Sequence, residues 1–458
     1  MPSRSRRLAA WPALLLLAVP SGAGAQALSF DQALAIARQR NERVLGAAAS
    51  VERARADVAA ARGRLLPEVG VAARHTRIDE AIAIDLEPIR GAMLALHPAV
   101  PPRAVPPFVA RVQDDAFTTV TLNATLPVFT GGRLLAGVRA ADAGVESAAA
   151  LERSAVGEVA TELAQRYFGL QLARESHRTR RATRESLAHH VERARSLERH
   201  GQIARAERLR AEVALAEAER ELQQAARDEE LARIALASTL SVDDVVVPTT
   251  PLFRVRALAP VDSFRALARL GHPALARLAA ERRRAHAGVA AARGELLPAV
   301  GLFAQRELYT RDLTILQPTW AAGVQASLPL FQGGQRLARL GGARAQERQV
   351  ALLLERAGRD VDLLVEQRYG QVERARDDLA VLETTRALAE ESLRAQQLSF
   401  GAGLATSLDV VDAEQALARV RLGILKARHD ADVALAGLLE AVGASARLTT
   451  YIDVDGDR

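Results

Sequence analysis

The fold of this chain follows from a stretch that occurs twice, as LPVFTGGR at 126–133 and as LPLFQGGQ at 328–335. A second motif, LLP followed by a variable residue and VG, precedes each copy, at 65–70 and at 296–301. Motifs that recur in the same order indicate an internal duplication. Each half of the chain is therefore predicted to fold as the same unit.

The two units differ in length because of one insertion. The stretch at 126–133 recurs 202 positions later, whereas the one at 65–70 recurs 231 positions later, so the first half holds 29 additional residues. Six prolines mark 80–113 as this insertion and predict a loop, with a short helix around 89–96. The predicted organisation is a first repeat at 26–247, a connector at 248–262 and a second repeat at 263–458.

Proline-free segments predict very long helices. All 18 prolines lie outside 128–247 and 330–458, and both segments are rich in Ala, Leu, Arg and Glu. About 67 residues precede the turns at Gly201 and Gly403. A helix of that length measures roughly 100 Å, which favours a coiled coil. The predicted helices are 30–64 and 263–296 before the strands, and the helical hairpins 133–238 and 335–441 after them.

Four short segments alternate between apolar and polar residues. The alternation is clean along 116–128 and 320–330, and weaker along 67–78 and 298–310. It predicts hairpins of about 10-residue strands, typical of membrane strands and equally of a half-buried soluble hairpin. In lipid every strand edge must be paired, and four strands cannot close a barrel. A membrane interpretation therefore predicts a trimer with twelve strands around a water-filled lumen. The predicted hairpins span 67–129 and 298–331.

Prolines and glycines mark the junctions between these strands and the helices. Proline interrupts helix interiors and central strands, and glycine permits the sharp turn between them. The predicted strand–helix transitions are Pro67, Pro127, Gly131, Gly132, Pro298, Pro329, Gly333 and Gly334.

Residues 1–25 have the features of a cleavable secretory signal peptide. Three arginines precede an apolar stretch at 8–19 and small residues at 23–25. The apolar stretch is shorter than the roughly 20 residues that a spanning helix needs. The chain contains no cysteine, which excludes disulfides, thiolate metal sites and a lipid-modified N-terminal cysteine. We therefore expect an exported protein that is not a lipoprotein.

Other function classes find little support. The 61 basic and 55 acidic residues are interspersed, which opposes nucleic-acid binding. His189 and His190 point about 100° apart on a helix and are predicted to be solvated. Asp453, Asp455 and Asp457 resemble the start of a calcium loop, but the glutamate expected at its twelfth position is missing, so an acidic tail is predicted. We predict no catalytic residues, no metal and no cofactor.

The order of helix, strand hairpin, very long helix, glycine turn and returning helix occurs twice. It resembles the outer membrane factor family, the TolC-like efflux and secretion ducts. The motifs that carry the resemblance are LP at 66–67 and 297–298, LPVFTGG at 126–132, LPLFQGG at 328–334 and the highly specific GLATSLDVVDA at 403–413. The resemblance covers essentially all of the chain after residue 25.

This resemblance implies a homotrimer in the outer membrane of a Gram-negative bacterium, with a long α-helical coiled-coil barrel in the periplasm below a twelve-strand barrel. The protein would be the passive exit duct of a tripartite efflux pump, and the insertion at 80–113 would face the cell exterior. Its partners would be outer-membrane lipid, a periplasmic adaptor protein and an inner-membrane pump. Two alternatives stay open: the exit duct of a type I protein secretion system, and a periplasmic coiled-coil adaptor with soluble hairpins.

The resemblance also implies functional residues at the two helical turns. Asp409 and Asp412 would form two stacked carboxylate rings at the periplasmic entrance, giving cation preference, although an aspartate there can also simply cap a helix. Phe400 and Ala405 stand where some relatives place a Tyr and an Arg that latch the entrance shut, so other contacts must serve here. The implied adaptor-docking tips are Gly201, Gln202 and Ile203 in the first repeat and Gly403, Leu404 and Ala405 in the second.

Overall fold

The computed structural model describes residues 26–107, 109–242, 245–309 and 318–452. The predicted signal peptide and the three aspartates at 453, 455 and 457 lie outside these residues. The mixed helix-and-strand fold predicted from the sequence is confirmed, and helix predominates. In chain order the α-helices are α1 (Phe30–Arg40), α2 (Glu42–Gly63), α3 (Glu87–Leu96), α4 (Arg133–Arg199), α5 (Arg205–Leu240), α6 (Val261–Gly271), α7 (Pro273–Gly294), α8 (Gln335–Gly401) and α9 (Ser407–Ala441).

Two long helical hairpins dominate the structure. Helices α4 and α8 are each 67 residues long, roughly 100 Å, and turn into α5 and α9. On α4 the buried residues Ala136, Ala143 and Ala150 recur every seven positions. This heptad spacing of small side chains allows neighbouring helices to pack closely side by side. Helix α4 contacts α5 and α9, and also α2 and α7.

The single helices predicted at 30–64 and 263–296 are each interrupted. Asn41 adopts an extended backbone conformation, ends α1, and accepts a hydrogen bond on its side chain from the Arg43 N–H at 3.0 Å as the cap of α2. His272 and Pro273 separate α6 from α7 in the same way. Pro273 lacks an N–H and is therefore favoured in the first turn of a helix. The predicted continuous helices were wrong at these two points.

The strands form one four-stranded sheet and two small pairs. The large sheet has the order β2-β5-β7-β8, with every neighbouring pair antiparallel. Among the described strands, β2 and β8 each pair with one strand of this sheet, so the sheet has two open edges in the described part of the chain. The strands are β1 (Gln26–Leu28), β2 (Glu68–Arg77), β3 (Ile82–Asp85), β4 (Val109–Gln113), β5 (Ala116–Phe129), β6 (Val246–Pro248), β7 (Ala299–Tyr309) and β8 (Trp320–Ser327).

The register of the large sheet separates its side chains by polarity, because residues directly opposite one another point to the same face. One row across the four strands is Val69, Ala124, Ala304 and Ala322. The next row, on the opposite face, is Gly70, Asn123, Gln305 and Ala321. The positions that alternate as apolar in the sequence are thus gathered on one face of the sheet. Arg306, opposite Leu122, shares this face, and Phe303, opposite Thr125, lies on the other.

The apolar face is open to solvent in the single chain. Val69 and Val71 on β2 are 64% and 63% exposed, and Trp320 and Val324 on β8 are 68% and 67% exposed. Monomeric soluble proteins rarely leave a continuous apolar surface uncovered. This exposed apolar face is therefore of the kind that another protein or a membrane covers.

The insertion at 80–113 is more ordered than the loop predicted from its prolines. It contains the antiparallel strands β3 and β4 and the helix α3, which includes the predicted short helix. The six prolines all fall outside β3 and β4, and Pro88 lies in the first turn of α3, where proline is tolerated. The guanidinium of Arg90 donates to the carbonyls of Pro102 and Val105 at 2.7 and 2.9 Å, which holds the following segment against α3.

The largest core cluster lies beside the middle of α4. Phe30 and Phe168 contact each other and the buried Tyr167, and Phe253 contacts Phe168. The ring centroids in these contacts are 5.3 to 5.7 Å apart. The Tyr167 hydroxyl donates to the Leu28 carbonyl at 2.7 Å and accepts from the N–H groups of the connector residues 249 and 250. Parallel pairing of β1 with β6 joins the same two segments. The connector is therefore fixed at the level of the α4 midpoint.

None of the helices in the described ranges is long and apolar enough to cross a membrane.

Candidate functional site at the hairpin tips

The two helical turns have the same backbone geometry. Gly201 and Gly403 have φ angles of +72° and +75°, a region that glycine enters without strain. The N–H of Gln202 donates to the Leu197 carbonyl at 2.9 Å, and the N–H of Leu404 donates across the equivalent turn at the same distance. These bonds satisfy carbonyl groups that the helix end leaves unpaired. Both predicted tips are thus glycine-terminated helix ends.

The two tips pack against each other through a shared apolar cluster. Ile203 and Ala405 are half-buried and contact it, whereas the side chains of Gln202 and Leu404 project outward. Leu404 is 83% exposed. Apart from the two glycines, the predicted docking residues therefore divide into an inward pair, Ile203 and Ala405, and an outward pair, Gln202 and Leu404. The tip cluster consists of Val191, Ala194, Ala211, Phe400 and Val410.

His190 lies inside this region, and the prediction that it is solvated was wrong. Its side chain is buried, its Nε2 lies 2.7 Å from the Ser407 hydroxyl, and its ring centroid is 4.7 Å from that of Phe400. The neighbouring His189 is exposed, as expected. His190 therefore joins the first hairpin to the second.

The sequence contained a signal for this burial. Thr183, Leu187, His190 and Ala194 follow a four-three-four spacing on α4, and all four are buried. This spacing marks the packed seam of a coiled coil. The test of His189 and His190 as a pair of metal ligands does not reveal this seam, and the burial of His190 was therefore not predicted.

Buried polar groups surround the contact between the tips. Burial lowers the pKa of His190 to about 4, and the charge of Arg193 acts in the same direction. The Ser407 N–H donates to the Glu207 carboxylate at 2.9 Å. Burial raises the pKa of Glu414, which accepts a hydrogen bond from a serine hydroxyl on α4. The tips thus meet through a desolvated polar contact beside an apolar one.

The titration of His190 gives a prediction for the pH dependence of the tips. Its pKa is about 4 in the packed tips and near 6.5 when exposed, so separated tips bind a proton more readily. Stability is therefore fully present above about pH 6.5 and is lost as the pH falls toward 4, by up to about tenfold in the opening equilibrium per pH unit. Hydrogen exchange of residues 187–194 at pH 7.5 and 5.5 measures this loss.

His190→Leu is expected to remove the pH dependence, and His189→Leu, at the exposed neighbouring position, is expected to keep it. Protection factors that fall equally with pH in both variants and in the unmodified protein would assign the effect to another group.

The two aspartates predicted at the entrance have different surroundings. The Asp409 carboxylate accepts hydrogen bonds from the Thr406 N–H and hydroxyl at 2.7 and 2.8 Å, as part of a capping box at the start of α9. The backbone hydrogen bond from Thr406 holds the pKa of Asp409 below its usual range. Asp412 is exposed, and among the described residues its carboxylate has no hydrogen bond or ion pair. Asp409 therefore caps its helix, while Asp412 is free to face solvent or ions.

The glycines at the strand–helix junctions have left-handed backbones. Gly131 and Gly132 have φ angles of +63° and +80°, and Gly132 caps α4. A Cβ on Gly131 would lie 2.3 Å from the Gly294 carbonyl oxygen, so no larger residue fits there. Gly333 and Gly334 repeat the conformation before α8, with open space around them. Only the first junction combines the turn with a close backbone approach.

The prolines occupy the junctions in two ways. Pro67 and Pro298 immediately precede β2 and β7, and Pro329 follows β8. Pro127 lies within β5, where the register with β7 shifts. Proline cannot donate a ladder hydrogen bond, which agrees with an irregularity at that point.

Within the described residues, no group of three or more His, Asp or Glu side chains is arranged to hold a metal ion.

Long helical hairpins attached to a four-stranded antiparallel sheet define the fold class of this chain. The family model for outer membrane efflux proteins matches residues 33–241 and 265–444, and the chain belongs to this family.

Two curated relatives share segments of the chain. The alkaline protease secretion protein AprF of Pseudomonas aeruginosa is 30% identical over 214 residues, 44% of this chain and 43% of AprF. The outer membrane efflux protein BepC of Brucella suis biovar 1 is 30% identical over 158 residues, 34% of this chain and 35% of BepC. The aligned segments thus span less than half of either relative. Among solved structures, CusC has a TM-score of 0.75 at 16% identity, covering 90% of this chain and 91% of CusC, which shows a shared fold.

Proposed function

We propose that this protein is a passive, non-enzymatic exit duct of the outer membrane, serving a tripartite efflux pump. The observation that carries the proposal is the four-stranded sheet with an exposed apolar face and two unpaired edges. Membership in the outer membrane efflux protein family supports it.

The open edges lead to a trimer. If β2 of one copy pairs with β8 of the next, three copies close a barrel of twelve strands, and every strand edge in lipid is paired. The row containing Val69 and Ala124 would then face lipid, and the row containing Asn123 and Gln305 would face a water-filled lumen. The exposure of Val71, Trp320 and Val324 supports this orientation, since only a lipid environment would cover such a surface without another protein element.

The helices then give the duct its length and direction. The sheet adjoins the first turns of α4 and α8, and the tips lie at their far ends, roughly 100 Å away. With the sheet in the outer membrane, the tips would lie deep in the periplasm and meet an adaptor protein and an inner-membrane pump. The insertion at 80–113 would face the cell exterior, and residues 1–25 would direct export. On this proposal the two halves, 26–247 and 263–458, are structural repeats.

A second candidate is the exit duct of a type I protein secretion system. The similarity to AprF, whose name describes the secretion of alkaline protease, favours it. The two candidates share the duct and differ in cargo. Deleting the gene and measuring both drug susceptibility and the release of extracellular proteins separates them. Family membership opposes the third alternative, a soluble periplasmic adaptor.

The trimer is the direct test of the proposed duct. Solubilised from the outer membrane in detergent, the protein is expected to contain three chains by light scattering and to migrate as a heat-sensitive trimer in gels. The physical reason is that each chain leaves two strand edges unpaired. A monodisperse monomer with full β-content, or release of the protein with the soluble periplasm, would contradict the proposal.

A further prediction concerns the entrance carboxylates. In a trimer Asp412 would form a ring of three unpaired charges one turn beyond the tip, whereas Asp409 is engaged by Thr406. Asp412→Asn is expected to lower the cation preference of the channel in planar bilayers and to weaken block by trivalent cations, because it removes three charges from the constriction.

Asp430→Asn serves as the control, since Asp430 lies on the same helix about five turns further along and pairs with Lys426. Equal reversal potentials for Asp412→Asn and the unmodified channel would show that this carboxylate does not face the pore.

A further inference from the structure

A cavity of about 680 Å³ lies away from both the tips and the sheet. Its walls come from α1, α4, α8, α9, the junction of α6 with α7, and the short 3-10 helix at 445–451. Four arginines line it, and we name it the arginine cavity after them. They are Arg38, Arg153, Arg368 and Arg447.

The arginines of this cavity lack charged partners in the chain. Within the described residues, the side chains of Arg38, Arg153 and Arg447 make no ion pair and no hydrogen bond. The Arg368 guanidinium donates only to the neutral amide oxygen of Gln371, at 3.2 Å. By contrast, Arg269 on the nearby α6 forms a two-bond pair with an aspartate of α8. Arg38, Arg153 and Arg447 line the cavity with exposed side chains and Arg368 is half-buried, so their donors are open to solvent and available to a ligand.

The carboxylates in the cavity do not neutralise these charges. Among the described residues, Glu152 and Glu440 are the carboxylates that line it, and Glu440 accepts a hydrogen bond from the Thr161 hydroxyl. Four arginines against two glutamates leave an excess of positive charge. His272 adds a donor: its Nδ1 accepts from the Ala274 N–H at 3.2 Å, so the neutral ring carries its proton on Nε2.

Glycines keep the walls of the cavity free of side chains. Gly157, Gly271, Gly437 and Gly443 all line it. A Cβ on Gly437 would lie 3.3 Å from Arg368 Nε, and one on Gly271 would lie 2.9 Å from a backbone carbonyl of the α9 end. The bare backbone lets the helices approach closely and leaves volume for a ligand beside the arginines.

We propose that the arginine cavity binds an oxyanion with two or more negative charges. Guanidinium groups present paired donors that match the oxygens of phosphate and carboxylate groups, and such charge-assisted bonds are stronger than neutral ones. The donors available to such an anion come from α1, α4, α8 and the 3-10 helix. The site lies apart from the tips, and its occupancy does not depend on the proposed duct function.

The test is calorimetric titration of the detergent-solubilised protein at low salt, with inorganic pyrophosphate and with citrate as separate probes. One saturable site per chain is expected for at least one probe. Tighter binding of pyrophosphate assigns a phosphate ligand, and tighter binding of citrate assigns a carboxylate ligand. Arg153→Gln and Arg447→Gln are each expected to weaken binding about tenfold, because each removes a charge-assisted contact.

Arg40→Gln is the matched control. Arg40 lies on α1 two residues from Arg38, is exposed, and does not line the cavity. The proposal is overturned if neither probe binds, or if the cavity variants bind as tightly as Arg40→Gln. Arg153 and Arg447 lie on different elements, so a folding defect in one variant leaves the other as an independent test.

Discussion

Ala124→Arg is expected to abolish assembly in the outer membrane, whereas Asn123→Arg, one position earlier on the same strand, is expected to permit it. Ala124 lies on the apolar face of β5, opposite Val69 and Ala304, and Asn123 lies on the polar face, opposite Gly70 and Gln305. An arginine facing lipid at the bilayer midplane costs about 2–4 kcal/mol, and a trimer carries three copies. An arginine facing a water-filled lumen remains hydrated.

The measurement is the amount of heat-modifiable trimer in outer-membrane fractions, with total protein followed by immunoblotting. Because the two variants introduce the same side chain at adjacent positions, differences in expression or in strand propensity largely cancel. Equal loss of trimer in both variants would mean that the strand tolerates no arginine on either face. Equal assembly of both would mean that the apolar face does not contact lipid.

Periodicity explains how much of this fold the sequence predicts. The proline-free segments set both 67-residue helices, and the two-residue alternation set all four strands of the large sheet to within a few residues at each end. Both patterns are local, since they follow from the geometry of helix and strand and from the burial of one face. The same local patterns predicted both glycine turns.

The errors arose where local composition and tertiary contacts disagree. Asn41 and His272 interrupt helices whose composition favours continuation, because their side chains cap the next helix. The insertion was predicted to be mainly loop because its prolines are dense, although they all lie between its strands and not within them. Whether a pair of strands forms depends on which positions need a backbone donor, and proline density does not reveal that.

The tips show the same limit for the functional site. The sequence placed the predicted docking residues and both aspartates near the turns, but it could not determine which side chains face inward. The structure turns Ile203 and Ala405 toward the tip cluster and engages Asp409 in a cap. The burial of Ile203 and Ala405 depends on the neighbouring hairpin, which is some 200 residues away in the chain, whereas the cap at Asp409 is a local contact with Thr406. The contact of His190 with Ser407 provides a link between the tips that does not need the Tyr and Arg of some relatives.

The outward surface of the tips can be tested at Gly403. Its φ angle of +75° favours glycine, but an added Cβ would meet no atom within 4 Å, so a large side chain would project into open space. Within the chain, a substitution at this position is therefore opposed only by the backbone conformation. The resulting strain of about 1–2 kcal/mol is local to the turn. An adaptor seated on this surface would instead be blocked by the side chain.

Gly403→Trp is expected to abolish export while the trimer still forms, because the side chain would occupy the surface that we propose as the adaptor contact. Gly403→Asn is the control, since asparagine tolerates a positive φ angle better than other residues and adds little volume. Export is measured as drug susceptibility or secreted protein, and assembly as trimer in outer-membrane fractions. Loss of export in both variants would point to the turn conformation instead of docking. Full export by Gly403→Trp would place the adaptor contact elsewhere on the hairpins.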